Sequence, residues 1–239
     1  MRRTLTATGR QDRLRIGPWR GDPAVAIVSP RPGTTPSPVA VARAVVEVTG
    51  RGFRSILTPA LSWNEQGVFL GQGFEVHERL HLLGHDLRRR PTAHADGVRL
   101  RRARRTDVRA VLALDGLAFD TFWRFDRAGL DDARRATPRS RFTVAEIDDR
   151  LVGYHVTGMA GRLGYLQRLA VHPDVHRRGI GTALIGDALD WCARRHASSV
   201  LVNTQETNLG ALRLYHQLGF VDEPTGLAVL ELDLATGTP

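Results

Sequence analysis

No lysine occurs in this chain of 239 residues; all 34 of its basic residues are arginine. A Walker A phosphate loop, which needs G-x-x-x-x-G-K-[ST], is therefore excluded. Cys192 is the single cysteine, so the chain closes no internal disulfide and builds no cysteine-rich zinc site, and no metal is expected. Beside Trp191 in a helical pattern, Cys192 reads as a buried structural thiol. No stretch approaches the roughly 20 apolar residues that span a bilayer. The opening residues MRRTLTATGRQDR are basic but lack the apolar core of a signal peptide. These absences lead us to expect a cytoplasmic protein that does not engage a membrane.

The formal charge of +9 is concentrated in Arg88, Arg89 and Arg90 and again between Arg99 and Arg105. That run lacks interleaved aromatics and any recognisable nucleic-acid-binding motif. A solvated linker and strand edge that attracts an anionic cofactor is the expectation, rather than a nucleic-acid partner.

The most informative stretch is LQRLAVHPDVHRRGIGTAL, from Leu166 to Leu184. Leu166, Leu169 and Val171 form a strand pattern, His172-Pro173-Asp174 ends it, and Ile180, Ala183, Leu184, Ala188 and Trp191 then keep helical spacing. Gly179 and Gly181 fall where that helix begins. A helix N-terminus carries unpaired N–H groups and the positive end of the macrodipole, and glycines let an anion reach the backbone, so the stretch reads as a diphosphate cradle. A dinucleotide fingerprint needs a third glycine three residues after the second, where Leu184 stands.

Leu169-Ala170-Val171-His172-Pro173, followed by His176-Arg177-Arg178-Gly179-Ile180-Gly181, resembles motif A of the GNAT acetyltransferases, with His176 departing from the usual Gln or Arg. A second signature of that family follows as Asn208, Ala211, Tyr215, Gly219 and Phe220 in TNLGALRLYHQLGF. The resemblance implies an α/β GNAT fold: a mixed, mostly antiparallel sheet flanked by helices, with a splayed parallel pair at residues 163–171 and 200–204. It implies acetyl-CoA as cofactor, its pantetheine along Leu169, Ala170 and Val171 and its pyrophosphate on His176, Arg177, Arg178, Gly179, Ile180, Gly181 and Thr182. Asn208 resembles the residue that contacts the pantetheine arm, and Tyr215 the general acid that protonates the departing thiolate.

Many relatives carry a glutamate on the motif A strand, but Gln167 and Arg168 stand there in this chain. The base is therefore sought in His155, with Glu146 and Glu206 as alternatives and a chain of waters as a further route. Phe119, Asp120, Phe122 and Trp123 lie where the family builds its acceptor site, which suits an acceptor with an apolar portion and an ammonium. The expected activity is transfer of acetyl to a primary amine of a small molecule or peptide. Two alternatives stand beside it: an enzyme similar to the mycothiol synthases, whose tandem layout this chain resembles, and a non-catalytic acyl-CoA-binding regulatory module. The sequence leaves the oligomeric state open.

The first third of the chain repeats the order of the last: strand, loop, helix, strand, helix, then Gly-Phe, at Gly73-Phe74 and Gly219-Phe220. We expect a degenerate GNAT-like half over residues 1–90, a linker at 91–97, the catalytic domain at 98–234 and a tail at 235–239. The first copy has Phe69 at the position matching Tyr215, has no G-x-G, and spends four prolines on the loop from Ser29 to Pro38, which also contains Gly33. It is expected to serve as a scaffold that binds no CoA. Phe74 to Leu87 is expected to form two strands with a turn near Arg79.

Overall fold

The computed structural model describes residues 14–20, 22–31 and 34–235. The expectations for residues 1–12, Gly33 and most of the tail lie outside them. The chain divides into two compact units, one made of Met1–His81 with Pro224–Pro239 and the other of Leu82–Glu223. Among the described residues, no helix is long and apolar enough to cross a membrane.

The chain begins in the first unit with β1 (Arg15–Trp19), β2 (Asp22–Ser29), α1 (Pro38–Gly50), β3 (Ser55–Leu57), β4 (Leu61–Ser62), α2 (Trp63–Leu70) and β5 (Glu75–His85). The second unit receives the end of β5 and continues with β6 (Arg99–Arg102), α3 (Val108–Ala118), α4 (Arg127–Arg135), β7 (Arg139–Ile147), β8 (Arg150–Ala160) and β9 (Leu163–Val171). It closes with α5 (Ile180–Ala193), β10 (Ser199–Gln205), α6 (Leu209–Gln217) and β11 (Val221–Asp222), after which β12 (Leu227–Asp233) returns to the first unit.

In the first unit, β2 and β3 run parallel, and β12 pairs antiparallel with β3, β4 and β5. Their core gathers Val41, Val48, Ile56, Phe69, Phe74 and Leu230. β12 was expected with the catalytic domain; its ladder partners put it in the first unit. The stretch expected to hold a turn near Arg79 is instead one strand, β5, and its irregularity is a bulge. Val229 pairs with Glu78 and Leu230 with Val76, which leaves His77 as the extra residue.

In the second unit the sheet order is β10-β9-β8-β7-β6, antiparallel except for the pair β9/β10. Helix α3 packs on β8 and β9 and α4 on β7 and β8, burying Val111, Leu114, Leu130, Val144, Tyr154 and Val156. Helix α5 packs on the other face, where Ile185, Leu189 and Cys192 meet Leu166, Val200 and Val202. Cys192 is fully buried and burial pushes its thiol up to about 12, in keeping with an inert core position. Much of the arginine run is neutralised locally: Arg90 pairs with Asp190, Arg99 with Glu146 and Asp149, and Arg101 with Asp107 and Glu146.

The repeated order is present in both units, each considered by itself. β2-α1-β3 and β9-α5-β10 are both strand, helix, parallel strand. Shortly after each following helix comes a glycine with positive φ, Gly73 at 85° and Gly219 at 88°, and the next phenylalanine turns back into the core. Phe74 lies 5.3 Å from Phe69 in one copy, and Phe220 lies 5.4 Å from Tyr215 in the other.

Two helical glycines separate packing from helix propensity. A Cβ on Gly186 of α5 would come within 2.9 Å of the backbone of Pro91 and Ala93, whereas one on Gly67 of α2 meets nothing within 4 Å. Gly67→Ala is expected to raise stability by about 0.4–1 kcal/mol. Gly186→Ala is expected to lower it by about 1–3 kcal/mol, because backbone cannot give way cheaply. Denaturant midpoints of the two variants check the opposite signs.

Candidate active site

The site forms where β9 and β10 part. Their ladder holds only Leu163↔Ser199, Gly164↔Val200 and Tyr165↔Leu201, after which β9 runs on to Val171 and β10 to Gln205 without pairing. The cause lies on the other edge of β9. Against β8, Thr157 pairs with Leu166 and Val156 with Arg168, so Gln167 is a bulged extra residue that bends the strand. Gln167 also holds a buried Oε1 without a hydrogen-bond partner among the described residues. The exposed edge of β9 over Leu169, Ala170 and Val171 is the place expected for the pantetheine.

The turn after β9 has the geometry of an anion site. His172 N donates to Val152 O at 2.8 Å, and His176 Nε2 bonds Val171 O at 3.0 Å. His176, the position that departs from the resembled motif, thus ties the turn back to the strand end. Arg177 and Gly179 both have positive φ, 61° and 77°, a pattern that turns successive N–H groups toward one point. Gly179 caps α5 without a side-chain bond, no acidic residue occupies the first turn, and the first i→i−4 bond runs from Ala183 N to Gly179 O at 2.9 Å. The N–H groups of Ile180, Gly181 and Thr182 precede that bond and face outward. Gly181 packs under α6: a Cβ there would lie 3.0 Å from Leu214 Cδ2.

The corresponding helix start in the first unit is closed. Pro38 has no N–H, and Ser37 uses its own side chain on Ala40 N at 3.2 Å.

Tyr215 is buried among the residues that α6 shares with α5, and burial pushes its phenol up, so it holds its proton at neutral pH. Asn208 caps α6, with Oδ1 accepting from Ala211 N at 3.2 Å. Its side-chain amide keeps its N–H groups for other partners.

The base candidates are placed differently from the expectation. His155 is fully buried on the α5 side of β8. Its Nε2 meets Asp187 Oδ2 at 2.9 Å and its Nδ1 meets the Thr157 hydroxyl at 2.9 Å, so the proton sits on Nε2 and Nδ1 accepts. With both nitrogens engaged, His155 has none to offer an acceptor, and its position is that of a structural group. Asp187 also accepts both arms of Arg141 at 2.6 Å and the Thr143 hydroxyl at 2.9 Å. Glu146 is held below the usual carboxylate range chiefly by its hydrogen bond from Arg101, which makes it a poor base. Glu206 is exposed in the turn after β10.

The segment expected to build the acceptor site lies on the opposite, α3 side. Asp120 uses its carboxylate on Trp123 N at 3.1 Å, which closes a turn, and Phe122 and Trp123 stack edge-on at 5.1 Å. Phe119 is partly buried against the α3 core. Sequence reasoning missed what holds this segment: Asp115 on α3, fully buried, and Arg168 on β9, joined through two hydrogen bonds of 2.8 and 2.7 Å. A signal for Asp115 was available. It sits in helical register with Val108 and Val111 on an apolar stripe, where a carboxylate needs a partner.

With the geometry in hand, comparison with known proteins places it. The sequence model of the acetyltransferase (GNAT) family matches residues 110–220. Mycothiol acetyltransferase of Acidimicrobium ferrooxidans is 35% identical over 85 residues, which are 34% of this chain and 27% of that protein. N-alpha-acetyltransferase 30 of Xenopus laevis is 42% identical over 60 residues, 25% of this chain and 22% of that protein. The chain therefore spans about a quarter of the length of each of these relatives. Among solved structures, a tandem GNAT protein from the clavulanic acid biosynthesis pathway superposes with a TM-score of 0.68 over 95% of this chain and 79% of that one, at 17% identity. A GCN5-related N-acetyltransferase from Sphaerobacter thermophilus does so with a TM-score of 0.61 over 92% and 76%, also at 17% identity. At that identity the likeness is one of fold.

The His155–Asp187 pair makes stability depend on pH. Burial lowers His155 below its ordinary 6.5, so below that value the unfolded chain takes up a proton that the folded chain refuses. Burial alone would raise Asp187, but hydrogen bonds from His155 and Arg141 hold it well below the carboxylate range, so its contribution is lost only at lower pH. Stability should fall on acidification from about pH 7.5 to about pH 5, by at most about 1.4 kcal/mol per pH unit from His155. Denaturant midpoints across this range should fall less steeply in His155→Gln; an unchanged slope would show that the imidazole is not the titrating group.

Proposed function

We infer that this chain, whose residues 110–220 match the acetyltransferase (GNAT) family, transfers acetyl from acetyl-CoA to a primary amine of a small molecule or peptide. The observation that carries this is the open strand edge at Leu169–Val171 leading directly into an uncapped, glycine-started helix. A pantetheine amide chain extends such an edge as an added strand, and a pyrophosphate suits the free N–H groups of Ile180, Gly181 and Thr182 with Arg177 and Arg178 beside them. Bound acetyl-CoA supplies the thioester; this chain's residues orient it and move the proton.

In the proposed reaction the amine nitrogen attacks the thioester carbonyl carbon in a ternary complex, with a backbone N–H near Val171 polarising the carbonyl oxygen. The carbon–sulfur bond breaks, and the thiolate takes the proton of the Tyr215 hydroxyl, whose raised pKa keeps it available. The amine's own proton leaves through water, since His155 and Glu146 are both engaged. Phe122 and Trp123 offer an apolar wall to the acceptor. The first unit acts as a scaffold, its helix start being closed by Ser37 and Pro38.

A second reading has specific support. Partial similarity to proteins named mycothiol acetyltransferases supports an acceptor of the mycothiol type. A panel of amines that includes the acceptor of those enzymes separates the two.

Thiol release from acetyl-CoA in the presence of the amine panel is the test. Tyr215→Phe should lower kcat by about 100-fold while leaving CoA affinity near wild type. Gly181→Trp should abolish CoA binding measured by calorimetry. A panel that yields no turnover while acetyl-CoA still binds would replace this reading with a binding module.

A further inference from the structure

The segment expected to wall the acceptor is tied to β9 through the Arg168 guanidinium. Arg168 lies on β9 one residue before Leu169. Its Nε and Nη2 donate to Asp115 at 2.8 and 2.7 Å, and Nη2 also donates to Trp123 O at 2.7 Å. Its Cζ lies 3.4 Å from the ring centre of Phe119 and 4.0 Å from that of Phe125, so two rings of the segment close on it. Asp115 completes the tie from the other end: Oδ1 accepts from Phe125 N at 2.6 Å, and the Tyr154 hydroxyl donates to Oδ2. Burial and the neighbouring Asp115 carboxylate both raise the Tyr154 phenol, so it remains a donor.

We propose that Arg168 is the positioning residue of the acceptor wall, setting where Phe122 and Trp123 stand relative to the thioester and so which amines are accepted. The proposal rests on the acetyltransferase reading above. Its physical basis is that a planar fork satisfies two carboxylate oxygens and a carbonyl at once while presenting both faces to aromatic rings. Lysine keeps the charge but has neither the fork nor the flat faces. The wall is preformed, and the ordering of its aromatic side chains is complete before the acceptor arrives.

The test uses the full chain, with tyramine as an acceptor carrying an aromatic portion. Arg168→Lys should speed amide exchange at Phe125 and through residues 119–125 by about tenfold or more, the worth of a hydrogen bond to a charged group. It should raise the KM for tyramine by a similar factor and leave kcat and CoA affinity within about twofold. Phe119→Leu, which removes one stacked ring and keeps the ion pair, should give the same pattern at about threefold and serves if the lysine variant does not fold. A fall in kcat at constant KM, a parallel loss of CoA affinity, or unchanged exchange at Phe125 would each overturn the proposal. If the wild type acetylates no amine, the acetyltransferase reading fails instead, and exchange at Phe125 still decides whether Arg168 positions the segment.

Discussion

The parting of β9 from β10 is the constraint on which the second unit depends. Two parallel strands that stayed paired to their ends would satisfy each other's backbone and leave no edge for a ligand. Here three ladder pairs form and then stop. The bulge at Gln167 bends β9 without breaking its pairing to β8, which resumes at Arg168 and reaches Val171. The same bulge shifts the side-chain alternation, so Leu166 faces the α5 core while Arg168 and Ala170 face α3. One inserted residue thereby opens the edge and aims the guanidinium that holds the acceptor segment.

The two units keep one order of elements while differing in the helix start that we propose holds an anion. Both place a helix between parallel strands and both follow the next helix with a glycine of positive φ. The difference lies at the helix start. α1 begins with a proline and a serine that caps its own helix, which leaves little for an anion. α5 begins with a left-handed glycine and no cap, which leaves donors unpaired. A glycine in place of a capping side chain costs only about a few tenths of a kcal/mol, a small cost that is expected where a ligand supplies the missing acceptors.

Much of this was legible in the chain itself. The strand that ends at Val171 and the helix from Ile180 stand where their patterns put them. Local signals governed them: strand-forming residues ended by His-Pro, and glycines ahead of an apolar helical stripe. Four things were not legible. The bulge in β5 looked like a turn because the pattern breaks at one residue without showing that pairing resumes. The membership of β12 depends on ladder partners more than 140 residues distant, such as Glu75 opposite Glu231. His155 looked titratable because a sequence does not show the carboxylate on α5 that takes its ring, and Arg168 looked like a lost base because its partner Asp115 lies 53 positions earlier.

The central claim is that CoA is held by the open edge of β9 and the start of α5, and by the second unit alone. Backbone amide chemical shifts measured during a CoA titration test it most directly. The account predicts that the largest changes fall at residues 169–171 and 177–182, with residues 37–41 at the start of α1 unmoved. Saturating shifts centred on residues 37–41, with the α5 start unchanged, would contradict it.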